Sequence, residues 1–372
     1  MGNSQNLVEF NDDDIDPALE DTRQLDLFSL VDAPEEKMVD GKIVLQSYSN
    51  SVGTIDLIPR FKRGVDAILP IDAPSLKGKS LVVSNKYTAG RNELICEIKP
   101  AIIQRKVKGE IVDFYAWPSD RETLIESTLF LLASNKGLER IVLASGTVRF
   151  GIYFTLYSIR EELKRINKTK SYDAIMESLI VIRDSSTTIL QEKNGKKVQI
   201  NYNVFADTLL SVSGSGRGRE RCCIIFSDYI VEQIKSLNYR QYHFYSINSN
   251  DSPLARFVHH YLTDSWTNVA ENVPQKLYLN AVFNGYGKHH LTQAVKRRDL
   301  RAALEILVKA NWFKSVPISK KEIVNSIVDY SYSLVPTEIF VKAVIKANAK
   351  KKGLRMLNDK ILEDENFLVQ KR

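Results

Sequence analysis

The stretch Arg149 to Ile189 narrows what this chain can fold into more than any other. A short alternating run, RFGIYFT, leads into a first amphipathic segment at about Ser158 to Ile166. A polar turn, Asn167 to Lys170, leads into a second, about Ser171 to Arg183. Two short helices joined by a few polar residues, with basic side chains at the joint, form the helix-turn-helix pattern. Ile159, Leu163 and Ile166 recur on one side of the first helix, and Ile175, Leu179 and Ile182 on one side of the second, so both have an inward face. Ser171 is a good N-cap, and Asp173 adds negative charge to the first turn. A hairpin is expected next, around Asn194-Gly195, because that dipeptide accepts the positive φ angles of a tight turn. A helix-turn-helix followed by a hairpin is a winged helix. In that geometry Lys168, Lys170, Ser171 and Tyr172 face the DNA backbone and base edges. Lys196 and Lys197, at the hairpin tip, touch phosphate or the minor groove, or are simply the solvated end of a hairpin.

Charge agrees with a polyanionic partner. The net charge is +7, yet residues 1–40 hold twelve acidic side chains against Arg23 and Lys37, which leaves the rest of the chain at about +17. The three cysteines, Cys96, Cys222 and Cys223, have neither disulfide-framework nor zinc-site spacing, and they fit a reducing compartment. With no apolar run at the acidic start and none long enough to span a bilayer, a cytoplasmic protein is expected.

Residues 1–45 read as a disordered acidic arm, since Asp12, Asp13, Asp14 and Asp16 repel one another and have no core to enter. One apolar island interrupts it, Gln24-Leu25-Asp26-Leu27-Phe28. Such an island either fills a partner's pocket or packs back on the body as a short helix. The pentapeptide resembles the peptide with which bacterial replication proteins dock on the β sliding clamp, which implies Gln24, Leu25, Leu27 and Phe28 as partner-binding residues.

Residues 46–115 form a β-rich extension in which Lys108-Gly109 is a hairpin turn, and prolines make Asp56 to Leu76 mostly loop. Residues 116–210 are assigned to a first winged-helix domain. It opens with a helix capped by Ser119 and Glu122 and closed by Gly137. Residues 211–221, SVSGSGRGRER, read as a linker, or as a loop whose Arg217, Arg219 and Arg221 track phosphates.

Residues 222–317 are read as a second domain on the same plan. Ser252-Pro253 opens a helix, an apolar piece from Leu277 to Phe283 is broken at Asn284 to Gly287, and a helix spans about Leu291 to Ala310. The front of that last helix is dense in positive charge: Lys288, His289, His290, Lys296, Arg297, Arg298 and Arg301, with Gln293 placed to read a base edge. This is the stronger DNA-facing candidate of the two. Residues 318–372 are expected to be a helical C-terminal extension, one helix beginning at Lys320-Lys321-Glu322 and another spanning about Pro336 to Ala349. The pairs His259-His260 and His289-His290 lack accompanying Cys, Asp or Glu in a metal-site arrangement, so no metal is expected. No phosphate-loop motif or catalytic cluster is present either, so neither cofactor nor enzymatic activity is expected.

The segments PSDRETLIESTLFLLA, VRFGIYFTLYSIREELKRINKTKSYDAIMESLIVI, SPLARFVHHYL and HHLTQAVKRRDLRAALEILVKANWF resemble plasmid replication initiators with tandem winged-helix domains. The group concerned includes the broad-host-range initiator of IncP-type plasmids, and the resemblance covers about residues 90–315. It implies an α+β fold and binding to direct repeats (iterons) at an origin. It also implies opening of AT-rich DNA, recruitment of the host initiator, the replicative helicase and the clamp, and control through a homodimer. The recognition helices would be Ser171 to Arg183 and Thr292 to Lys309. A winged-helix transcriptional repressor, autoregulatory or not, explains the same features apart from the clamp-like peptide.

Overall fold

In a computed structural model of the chain, the described residues are 37–39, 42–44, 48–51 and 58–348, apart from 65, 90–91, 194–195, 211–220, 236–239 and 325–326. The clamp-like peptide, the acidic arm and Arg217 and Arg219 lie outside them, as do the side chains of Lys196 and Lys197.

The described residues begin with three short strands, β1 (Lys37–Val39), β2 (Lys42–Val44) and β3 (Tyr48–Ser51). The β-rich extension follows: β4 (Ile68–Pro70), β5 (Val83–Ala89), β6 (Asn92–Lys99), β7 (Ala101–Val107) and β8 (Glu110–Ala116). Pro100 divides one β-branched run into β6 and β7, which join different sheets. Lys108 and Gly109, at φ 51° and 97°, make the tight turn that returns β7 as β8. Two positive φ angles suit the right-handed twist of the strands on either side.

The first helix-turn-helix unit has α1 (Asp120–Lys136), β9 (Glu139–Val142), β10 (Val148–Thr155), α2 (Leu156–Arg165) and α3 (Tyr172–Asp184). The hairpin β11 (Ser186–Lys193) and β12 (Lys196–Tyr202) comes next, then β13 (Phe205–Leu209) and β14 (Arg221–Phe226). The Ser119 backbone N–H donates to Glu122 Oε2 at 2.9 Å, as its capping role requires. Gly137 ends α1 at φ 82°.

Two features of this unit were not expected. The hairpin does not stand free: β11 also pairs with β6, Ile189 opposite Cys96, in a four-stranded sheet ordered β12-β11-β6-β5. And β14, which follows residues 211–220, pairs with β10 in a sheet ordered β13-β14-β10-β9. The boundary expected at 211–221 therefore falls inside the first core, which runs on through α4 (Asp228–Lys235), β15 (Arg240–His243) and α5 (Phe244–Asn248) as far as Ile247. Gly151 sits where β10 is squeezed between β9 and β14. A Cβ there would stand 2.1 Å from the Ile224 carbonyl oxygen.

The second core begins at Leu254 and extends to Val344. It is built from α6 (Pro253–Ser265), β16 (Gln275–Tyr278), α7 (Leu279–Tyr286) and α8 (Gln293–Lys309), then β17 (Lys320–Val324), β18 (Ile327–Leu334) and a helix, α9, described over 338–348. The break expected over Asn284 to Gly287 is confined to Gly287. Helix α7 continues through Tyr286, and only Gly287 takes the left-handed φ of 80° that ends it. The helix expected from Lys320 is instead a strand, because Val328, Tyr330, Tyr332 and Leu334 alternate with polar residues and draw β17 into an antiparallel ladder. That hairpin, paired with β16 through β18, is the wing of the second unit. Phe340 and Val344 of α9 are buried in the second core, so residues 318–348 complete the domain and are not an appendage to it.

The extension joins the two units. Arg60 makes a paired, buried contact with Glu126 of α1. Arg63 binds Asp120 and Thr123 of α1 while lying 4.8 Å over the ring of Tyr286 on α7.

Candidate nucleic-acid interface

In the second unit, Thr292 caps α8 by accepting from the Val295 N–H at 3.4 Å. The helical period then sorts its charges. Lys296, Leu300, Ala303, Leu304 and Leu307 face inward. Arg298 and Arg301 face solvent, their side chains 74% and 71% exposed, each tied only to a carboxylate of its own helix, Asp299 and Glu305. Exposed pairs of this kind contribute about 0–1 kcal/mol, so either arginine can exchange its carboxylate for a phosphate at little cost. Arg297 lies with its guanidinium 4.5 Å over the Tyr330 ring, which ties α8 to the wing. Lys321 stands across the ladder from Tyr330. Arg297, Arg298 and Arg301 of α8, Tyr330 of β18 and Lys321 of β17 thus make a basic strip across neighbouring elements. The period-two run 328–334 was the signal that would have found the wing half of it.

Other expected contacts are placed differently. Lys296 is 4% exposed, with its Nζ 3.5 Å from Asn280 Oδ1, and burial lowers its pKa. It shares a face with Leu300, Ala303 and Leu307, so it is beneath the helix and cannot meet a phosphate in this arrangement. Gln293 is half-buried and donates to Asn280 Oδ1 at 3.0 Å, which turns its amide toward α7. His290 is exposed and Lys288 half-buried near Tyr286. His289 is half-buried, and its pKa is lowered first by burial and then by His290, Lys296 and Lys86, which keeps it neutral at pH 7.

In the first unit, Thr155 caps α2 and Ser171 caps α3, accepting from the Ala174 N–H at 3.2 Å. The Ser171 oxygen is therefore already engaged by the helix end. Asn167 takes φ 57° in the turn. Lys168 pairs with Asp251 at 2.8 Å, bridging to the residues just before α6. Tyr172 lies 4.9 Å beneath the Arg160 guanidinium, and Lys170 is half-buried. Helix α3 is covered on two sides. Ile175 and Leu179 enter the first core, while Val181 and Ile180 pack against Ile103 and Phe114 of the β7–β8 hairpin. Glu177 on that second side accepts from Arg105 at 2.7 Å and from Arg121 at 2.6 Å. The two ends of α3 remain exposed, the N-terminal one at Ser171 and Asp173 and the C-terminal one at Arg183 and Asp184.

Among the described residues no three His, Cys, Asp or Glu side chains converge as a metal set, and no helix is long and apolar enough to cross a membrane. His259 is buried against Trp312, 4.3 Å between ring centroids, and belongs to the core.

No protein-family model matches the chain, and no curated protein does. Among solved structures it is similar to domains 2 and 3 of RctB. Over the selenomethionine form the identity is 11% and the TM-score 0.44, covering 77% of this chain and 96% of that one. Over a second crystal structure of those domains the identity is 11% and the TM-score 0.43, covering 78% and 99%. A Pi initiator protein in complex with iteron DNA is also similar, with 11% identity, a TM-score of 0.39, and coverage of 59% of this chain and 91% of that one. Likeness this distant leaves fold and function to be argued from this chain's own residues.

Proposed function

We propose that this chain binds double-stranded DNA sequence-specifically at direct repeats of a plasmid origin and initiates replication there. The observation that carries the reading is the strip formed by Arg298 and Arg301 on the free face of α8, Arg297 stacked on Tyr330, and Lys321 beside it. A helix of that kind presents cations to phosphates and base edges in the major groove while the wing reaches the neighbouring backbone. No bond is made or broken by the protein. Binding energy from phosphate contacts offsets bending or untwisting of the duplex, and strand opening follows where stacking is weakest, in AT-rich DNA. The host initiator, the replicative helicase and the β sliding clamp are the partners of this reading, the clamp through Gln24, Leu25, Leu27 and Phe28. A homodimer is its regulatory form.

A footprint of the purified protein on DNA flanking its own gene tests the reading. Regularly repeated protection beside an AT-rich stretch is expected. A single palindrome over a promoter means the repressor instead, and no protection removes both. For the clamp, a peptide spanning residues 21–32 should bind a purified β clamp in a titration. Binding that survives Leu27→Ala with Phe28→Ala excludes that contact.

A further inference from the structure

Two hairpins of the β-rich extension each lie against one helix-turn-helix unit. The β7–β8 hairpin runs antiparallel to α3: Ile103 packs by Val181, and Arg105 grips Glu177 one turn nearer the helix N-terminus. With a rise of about 3.3 Å per strand residue and about 1.5 Å per helix residue, the hairpin tip comes level with the first turn of α3. Lys106 accordingly lines the same groove as Asp173. Lys106 and Lys108, the basic residues of the tip, are both exposed. The β5–β6 hairpin treats the second unit in the same way. The Asn85 side chain is 3.3 Å from where a Cβ on Gly287 would stand, so β5 is seated on the turn that leads into α8. The next residue, Lys86, is exposed beside that turn. None of these three lysines is ion-paired among the described residues. Lys296 and Lys86 both act on His289 in that turn as positive charges. Exposed cations without an ion-pair partner beside both candidate helices are what a polyanion would meet first.

We propose that the extension is a third DNA-contacting element, with Lys106 and Lys108 beside the N-terminal end of α3 and Lys86 beside the turn before α8 each taking a backbone phosphate. This rests on the DNA-binding reading of α8. The test is the salt dependence of binding to a duplex taken from the footprint. It compares the full chain, Lys86→Gln, the double variant Lys106→Gln with Lys108→Gln, and Lys77→Gln as an exposed control in the extension outside both hairpins. Each lost phosphate contact should flatten the slope of log K against log salt by about 0.9. The single variant should therefore lose about 0.9, the double about 1.8, and the control nothing. Unchanged slopes in the Lys86 and Lys106/Lys108 variants, while Arg298→Gln with Arg301→Gln still flattens the slope, would overturn this inference and leave the proposed function standing. Equal flattening in the control would also overturn it, as a general charge effect. If the arginine variant is unchanged as well, the DNA reading of α8 fails first.

Discussion

His259 gives the second unit a built-in acid sensitivity whose size follows from its burial. The side chain is 3% exposed, its ring tilted 50° against Trp312 at 4.3 Å, with its Nδ1 3.3 Å from the Asn250 amide nitrogen. Burial, with lesser contributions from His260 and His243, lowers its pKa from 6.5 to about 3. The unfolded chain therefore takes up a proton below pH 6.5 that the folded chain refuses. The stability this ring confers is present above its unfolded pKa and is lost as pH falls toward the folded one. Linkage sets the loss at about 1.4 kcal/mol per pH unit within that window, so going from pH 7 to pH 5 removes about 2 kcal/mol. His259→Phe keeps a ring against Trp312, and the Asn250 amide keeps the Ser246 and Ile247 carbonyls as acceptors. Urea unfolding at pH 7 and pH 5, followed by Trp fluorescence, should show the native chain losing about 2 kcal/mol more than the variant. Parallel losses in the two proteins would refute the reasoning, since some other group would then be taking up the proton.

Gly151→Ala should destabilise the first unit by about 1–3 kcal/mol in chemical denaturation, because the new methyl meets the Ile224 carbonyl oxygen at 2.1 Å; an unchanged midpoint would mean that β10 and β14 part freely. Lys296→Met should leave the salt slope of DNA binding unchanged, since the ammonium lies beneath α8, 3.5 Å from Asn280 Oδ1 and 6.0 Å from the Phe283 ring; a flatter slope would place Lys296 on the duplex after all. Glu177 is raised by burial, but the hydrogen bonds and charges of Arg105 and Arg121 outweigh that, and its pKa ends below the usual 4.5. Its stabilisation is present above about 4.5 and is lost as pH falls through its lowered folded value, so Glu177→Gln should flatten the acid limb of a pH–Tm curve; an unaltered limb would deny the pairing.

What the sequence settled by itself is local. Ser119, Ser171 and Ser252 stand at helix starts and Gly137 at a helix end, as their residue types require. Caps and apolar spacing act over a few residues, and so they can be read without a fold. Lys108-Gly109 was legible for the same reason. Tertiary structure alone decided which strands share a sheet: β14 returning to β10, and β11 taking β6 as a second neighbour. Ladder partners far apart in the chain leave no local mark on either one. It decided also which cations are free. Lys296 and Arg298 are two residues apart in one basic run, yet one lies under α8 and the other faces solvent. Charge density in the sequence carries no phase until the helix is packed. Lys86 and Lys106 drew no notice in the sequence, because what gives them a place beside the two helix-turn-helix units is the docking of their hairpins, which only the folded chain brings about.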